Sequence, residues 1–198
     1  MRTYAGGVAH PEGLPVVKVG VVLARQPDDL GEWLADGTAF EAAGADVLWV
    51  DPIVGSELDP LVLTAALAAV TFRSLLVATL PPDRTDLART VATIGRLSRG
   101  RLGILAETGP DGMVRETGTG LHVFRLIPGD PGAYEHASGE RWARCRPPDG
   151  RAAWRATLLD AGERGLRGLL VPADPRLLDI LRNPDDPGYR HDLQLAQG

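Results

Sequence analysis

One cysteine, one lysine and few aromatic side chains set the first limits on this 198-residue chain. The lone Cys145 excludes an internal disulfide and a cysteine-based zinc site, and it suits a reducing, cytoplasmic setting. Lys18 stands against twenty arginines; with abundant alanine and glycine, that bias reads as genome base composition rather than function. No apolar stretch approaches the roughly 18 residues of a membrane span, so no membrane partner is expected. Met1 to Pro15 offers glycine, histidine and proline in place of a basic segment and an apolar run, and so does not read as a signal peptide. Dense basic runs are missing as well. The net charge is −5, the first seventy residues hold ten acidic and three basic side chains, and only residues 71–170 are mildly basic. Without interleaved aromatics, nucleic acid is not an expected partner.

What is present is a regular alternation. Val16 to Leu23 is a nearly continuous apolar strand, the pattern of a parallel sheet covered on both faces. Asp29 with Glu32 starts a helix that runs to Ala43 and closes at Gly44. A strand over 46–50 follows. Asp59-Pro60 then caps an alanine-rich helix to Val70, apolar nearly all round, which suits a subunit interface. A strand over 74–79, a helix over 85–98 closed by Gly100 and a strand over 101–106 complete the core, 16–106. Such units gather their strand ends on one rim, where loops hold ligands.

After Thr108 the pattern breaks. Met113–Thr117 and Leu121–Leu126 are expected to pair as an antiparallel hairpin, and the Gly- and Pro-rich remainder of 108–150 to form an irregular covering segment. A final helix, strand and helix span 151–182, the last capped by Asp174-Pro175. The whole, 1–198, reads as one α/β domain of TIM-barrel-like parallel βα units. A complete eight-fold barrel takes about 250 residues. A shortened or incomplete barrel, an open sheet, or a barrel closed by the hairpin strands are the options left.

Over Val16 to Leu105 the chain resembles the bacterial luciferase-like family of flavin- and deazaflavin-dependent oxidoreductases. The matching pieces are Phe40-Glu-Ala-Ala-Gly44, Asp46-Val-Leu-Trp-Val-Asp51, Asp59-Pro-Leu with Ala68-Ala-Val-Thr71, Leu87-Ala-Arg89 with Thr93-Ile-Gly-Arg-Leu-Ser98, and Arg99-Gly-Arg-Leu102. No single piece is specific, but their order and spacing are. The resemblance implies a TIM-type barrel, a homodimer through the early helices, and FMN or a deazaflavin at the strand ends. It implies hydride transfer or oxygen activation, with a monooxygenase, a separate flavin reductase, a full-length family partner and a small-molecule substrate in view. The pattern also departs from the family. Ile104-Leu-Ala-Glu107 replaces the glycine-rich end of strand four, Leu80-Pro-Pro-Asp-Arg84 is short, and no histidine follows Asp51. A degenerate relative that binds a ligand or a partner without catalysis is the alternative.

The resemblance places Asp51, Ala78, Thr79 and Glu107 at the cofactor. Asp51 can hydrogen-bond a hydroxyl or ring nitrogen, or merely start a turn with Pro52. Ala78 and Thr79 match a strained peptide against the flavin ring, and Thr79 can also donate to a flavin carbonyl; both read equally as strand residues. Glu107 can serve as acid or base, or block the approach of a phosphate. Arg25 can meet a phosphate, though a surface role suits it better. Tyr134 and Trp142 can stack on a planar ligand or anchor a loop. No catalytic residue is singled out. His10, His122, His136 and His191 show no metal-ligand spacing, so no cluster and no metal are expected. Ser98 and Cys145 lack a base-bearing motif, which leaves nucleophilic catalysis without support.

Overall fold

Eight strands and five helices account for the described residues, 16–23, 29–51, 58–80, 87–105 and 120–184, of the computed structural model. The strands are β1 (Lys18–Val22), β2 (Val47–Val50), β3 (Leu75–Thr79), β4 (Leu102–Leu105), β5 (His122–Leu126), β6 (Ala133–His136), β7 (Arg141–Arg144) and β8 (Gly168–Pro172). The helices are α1 (Leu30–Ala42), α2 (Pro60–Val70), α3 (Ala88–Leu97), α4 (Arg151–Glu163) and α5 (Pro175–Arg182). The strands close in chain order into one barrel, β8 pairing back on β1 from Lys18 opposite Gly168 to Val22 opposite Pro172. All pairings are parallel except β5–β6 and β6–β7.

The barrel is therefore closed, not incomplete. An antiparallel strand needs only a short turn, whereas a parallel one needs a crossover of a dozen or more residues. Reversing β6 lets three strands follow one another without helices, and 198 residues suffice. Two further expectations are corrected. Residues 133–136 and 141–144 are barrel strands, not irregular covering. The antiparallel partner of β5 is β6, and the other edge of β5 is taken by β4; Met113–Thr117 lies outside the described residues.

Local chemistry explains the helix boundaries. The Asp29 carboxylate accepts from the Gly31 and Glu32 N–H groups, Asp59 from Leu61 and Asp174 from Arg176. Each satisfies an orphan donor of a first turn, typically worth about 1 kcal/mol. Gly44 and Gly100 close α1 and α3 at φ 98° and 80°.

Alternation along the strands divides the core. Val19, Val21, Leu23, Leu48 and Val50 point outward to α1, α4 and α5, while Ala78, Leu102, Ile104 and Val123 point outward to α2 and α3. A third cluster contains no helical residue: Val22, Val47, Trp49, Val77, Leu105, Phe124, Tyr134, Trp142 and Leu170. It fills the lumen. Trp49 packs 5.2 Å from Phe124 and 5.0 Å from Tyr134, and Phe124 lies 6.0 Å edge-on from Trp142. Gly20, Gly103 and Gly168 leave the room; a Cβ at Gly168 would stand 2.2 Å from the Trp142 ring.

Candidate functional site

The parallel strands end on one rim, and there the inward alternation turns polar. On β2 the inward set runs Val47, Trp49, Asp51; on β3 it runs Leu75, Val77, Thr79. Parallel pairing brings Asp51 and Thr79 side by side, and the Thr79 hydroxyl donates to Asp51 Oδ1 at 3.2 Å. The Trp49 indole N–H donates to Thr79 Oγ1 at 3.3 Å from below. Across the mouth, Arg144 at the end of β7 donates through Nη2 to Asp51 Oδ2 and through Nε to the Tyr134 hydroxyl at 2.7 Å. Its guanidinium carbon lies 5.7 Å from the centre of the Tyr134 ring. The donors converge on Asp51 from both sides.

Burial sets the strength of this network. The Asp51 side chain is 15% exposed and that of Arg144 37%, so the pair sits half in water at the mouth of an apolar lumen. Burial alone would lower the Arg144 guanidinium. The hydrogen bonds to Asp51 and Tyr134, with the Asp51 charge, outweigh it and hold the group above its ordinary value. Arg144 is a permanent cation.

Of the residues expected at a cofactor, the fold brings two together, Asp51 and Thr79. Ala78 is fully buried and faces α2 and α3, away from the lumen. The peptide joining it to Thr79 is trans and lies in regular register with Ile104 and Leu105. Glu107 and Arg25 lie outside the described residues. Asp174 is a helix cap. Tyr134 and Trp142 are lumen residues, 5% and 2% exposed.

Arg144 and Trp49 were not foreseen. Trp142 and Arg144 sit two apart, as do Tyr134 and His136, around the turn-forming Ser138-Gly139, but no apolar alternation marks either run as a strand. The β5–β6 pairing overturns the expectation that the histidines form no cluster. His122 and His136, fourteen residues apart, meet on one face of β5 and β6 with ring nitrogens 3.3 Å apart. Among the described residues, no group of three or more His, Cys, Asp and Glu could hold a metal ion. Ser98 is buried and its hydroxyl donates to the Gly95 carbonyl. Burial pushes the Cys145 thiol up to about 11, so it stays protonated at neutral pH.

Fold and rim define an α/β barrel with a charged, hydrogen-bonded mouth. No family model matches the sequence, and no curated protein matches it. Among solved structures with a distant likeness are the following two. EDTA monooxygenase (EmoA) from Chelativorans sp. BNC1 aligns at 19% identity and a TM-score of 0.39 over 50% of this chain. The match spans only 30% of the monooxygenase's own length. Tryptophan synthase from M. tuberculosis, in its aminoacrylate- and BRD0059-bound form, aligns at 12% identity and a TM-score of 0.49 over 85% of this chain and 91% of its own. Likenesses at this level carry no argument about activity, and the barrel rests on its strand pairing. Among the described residues no helix is long and apolar enough to cross a membrane.

Proposed function

We propose that this chain is a luciferase-like oxidoreductase of the cytoplasm that takes reduced FMN or a deazaflavin at the rim and acts on a small organic substrate. Monooxygenation, with a separate flavin reductase, is the reaction the resemblance implies. One observation carries the reading: Asp51, from the matched strand, stands with Thr79 and Arg144 over an aromatic floor. The donor set suits the group. The polar edge of a flavin or deazaflavin alternates carbonyl, imide N–H and carbonyl, and the rim offers a carboxylate acceptor beside a guanidinium donor, the carboxylate being held in place by the Thr79 hydroxyl. When bound, the ring supplies hydride transfer or oxygen activation. Asp51 and Thr79 orient its edge, and Arg144 offsets negative charge there.

Titrating the folded protein with FMN and separately with a deazaflavin, read by ligand fluorescence, tests this. Saturable micromolar binding is expected, with Asp51→Ala and Arg144→Ala each weakening it about tenfold or more. Absence of saturation by either up to high micromolar would overturn the reading. A second reading, a ligand-binding or partner subunit without catalysis, is favoured by the lumen itself. Trp49, Phe124, Tyr134 and Trp142 occupy the space beneath the rim, so a ring can lie across the mouth but not descend. Binding without turnover of any substrate would select it.

The proposal includes a homodimer through the early helices. Val62 on α2 and Phe72 just beyond it are 63% and 62% exposed, apolar surface that a partner would cover. Sedimentation equilibrium at tens of micromolar should give twice the 21.1 kDa chain mass, and Val62→Glu should shift it to one chain. A wild-type monomer there would sink the dimer.

A further inference from the structure

The opposite mouth of the barrel carries a second constellation. Because β6 runs against its neighbours, its turn into β7 lies where the parallel strands begin, and it delivers Ser138 and Glu140 beside Lys18 and His122. A cavity of about 370 Å³ opens there, with Val47, Leu75, Phe124 and Trp142 as its apolar lining. His136 Nδ1 lies 2.7 Å from the Ser138 hydroxyl oxygen and accepts the Ser138 backbone N–H at 3.2 Å. That backbone bond requires a lone pair on Nδ1, which assigns the ring proton to Nε2. Nε2 in turn lies 3.3 Å from His122 Nδ1, which is then its acceptor. The Ser138 hydroxyl, at the shorter distance, shares the single Nδ1 lone pair with its own backbone N–H, and His136 Nε2–H donates on to His122.

Burial first, and nearby positive charge second, disfavours a proton on either ring. Burial, then the Lys18 charge, lowers His122 below the ordinary histidine value; burial, then the charges of His122 and Lys18, lowers His136. Glu140 opposes both shifts and is itself held by Lys18 at 3.5 Å and Arg167 at 3.3 Å. Asp46, the other acid at this mouth, accepts the Val19 N–H. At neutral pH the two imidazoles are uncharged.

We propose that this mouth is an acyl-transfer site, with Ser138 as nucleophile, His136 as general base and His122 as its positioning residue, acting on small esters with short aliphatic or aryl acyl groups. The geometry supplies the two contacts such chemistry needs, nucleophile to base and base to orienting group. Ser138 Oγ bonds to the carbonyl carbon as its proton passes to His136 Nδ1. The bond to the leaving oxygen breaks, and that proton goes to it, giving an alcohol and acyl-Ser138. Water then attacks the acyl carbon through the same base, releasing a carboxylic acid and restoring the serine. Lys18, on the same wall, is the cation for the developing oxyanion.

The test is hydrolysis of 4-nitrophenyl acetate and butyrate by the whole chain, with mass mapping after phenylmethylsulfonyl fluoride. A saturable rate, a burst of nitrophenol and a sulfonyl adduct on Ser138 are expected. Ser138→Ala should lower kcat/KM about a hundredfold, to the background of the remaining histidines. The wild-type pH profile should rise through a midpoint below the ordinary histidine value. His122→Gln should lower kcat and move that midpoint with the circular dichroism unchanged. Wild-type rates in Ser138→Ala, or no adduct on Ser138 of the native protein, would overturn the proposal; the adduct decides even if a variant misfolds. An unmoved pH profile in His122→Gln would remove His122 from it.

Discussion

Replacing Glu41 with alanine should cost about 4 kcal/mol and lower Tm by roughly 10 °C. Its side chain is buried at the end of α1, and its carboxylate accepts the backbone N–H groups of Phe72, Arg73 and Ser74, at 2.8–2.9 Å. These three donors lie in the turn that carries the chain from α2 into β3. Arg101 braces the same turn from the far side, donating to the Thr71 and Ser74 carbonyls. Alanine would leave three donors without their acceptor and a partly buried arginine without its counter-charge. Each such loss costs about 1–3 kcal/mol, reduced where water can reach the group.

Protonation tests the same contact. Burial alone would raise the Glu41 carboxyl, but the bonds from Ser74, Arg73 and Phe72, with the Arg101 charge, outweigh it and hold the group below its ordinary value of 4.5. A carboxylate depressed in the folded state stabilises fully above its unfolded value, and that stability is lost as pH falls through the folded value. Wild-type protein should therefore lose stability on acidification below about pH 4.5, while Glu41→Gln should start lower and show a flatter acid limb. Chemical denaturation at pH 7 and pH 4 measures both. Equal stability of the two proteins at pH 7 would refute the role given to this carboxylate.

The parallel half of the barrel was legible because its signals are local. Aspartates followed by proline or by an acidic third residue mark helix starts, and valine-rich runs mark strands buried on both faces. Residues 133–144 gave no such signal, for a physical reason. A strand in this barrel spans few residues, so its inward positions reach from one polar mouth to the other. On β6 they are Tyr134 and His136; on β7 they are Trp142 and Arg144. One of each pair is polar and yet faces inward, which erases the alternation that would reveal a strand. The rim followed the same rule. Asp51 and Thr79 could be placed together from parallel register, but Arg144 could not, because its place depends on a reversal the pattern does not announce. The histidine pair was hidden likewise: hairpin register, not distance along the chain, makes neighbours of His122 and His136.

The lumen gives the other large effect. Gly168→Ala should destabilise the protein by about 3 kcal/mol, although alanine in a strand is ordinarily better than glycine by about 0.5–1 kcal/mol. Gly168 sits directly opposite Trp142 in the β7–β8 pairing, and the indole lies across it. An added Cβ would fall 2.2, 2.3 and 2.6 Å from three ring carbons. The ring cannot turn aside cheaply, since it is 2% exposed and Phe124 stands edge-on 6.0 Å away. At Gly20 and Gly103 the nearest atoms are methyl groups of Leu170 and Val77, at 2.6 and 2.9 Å, which can yield by rotation, so alanine there should cost less. A double-mutant cycle isolates the cause. Trp142→Leu alone should cost about 2–4 kcal/mol, but in that background Gly168→Ala should be neutral or stabilising, a coupling of about 3 kcal/mol measured by urea unfolding. Additive losses would mean that Gly168 is required for its backbone and not for the ring above it. The expected sign reversal would mean that a rigid aromatic filling, seated on strand glycines, is what a barrel with β6 reversed uses in place of the branched aliphatic layers of an all-parallel one.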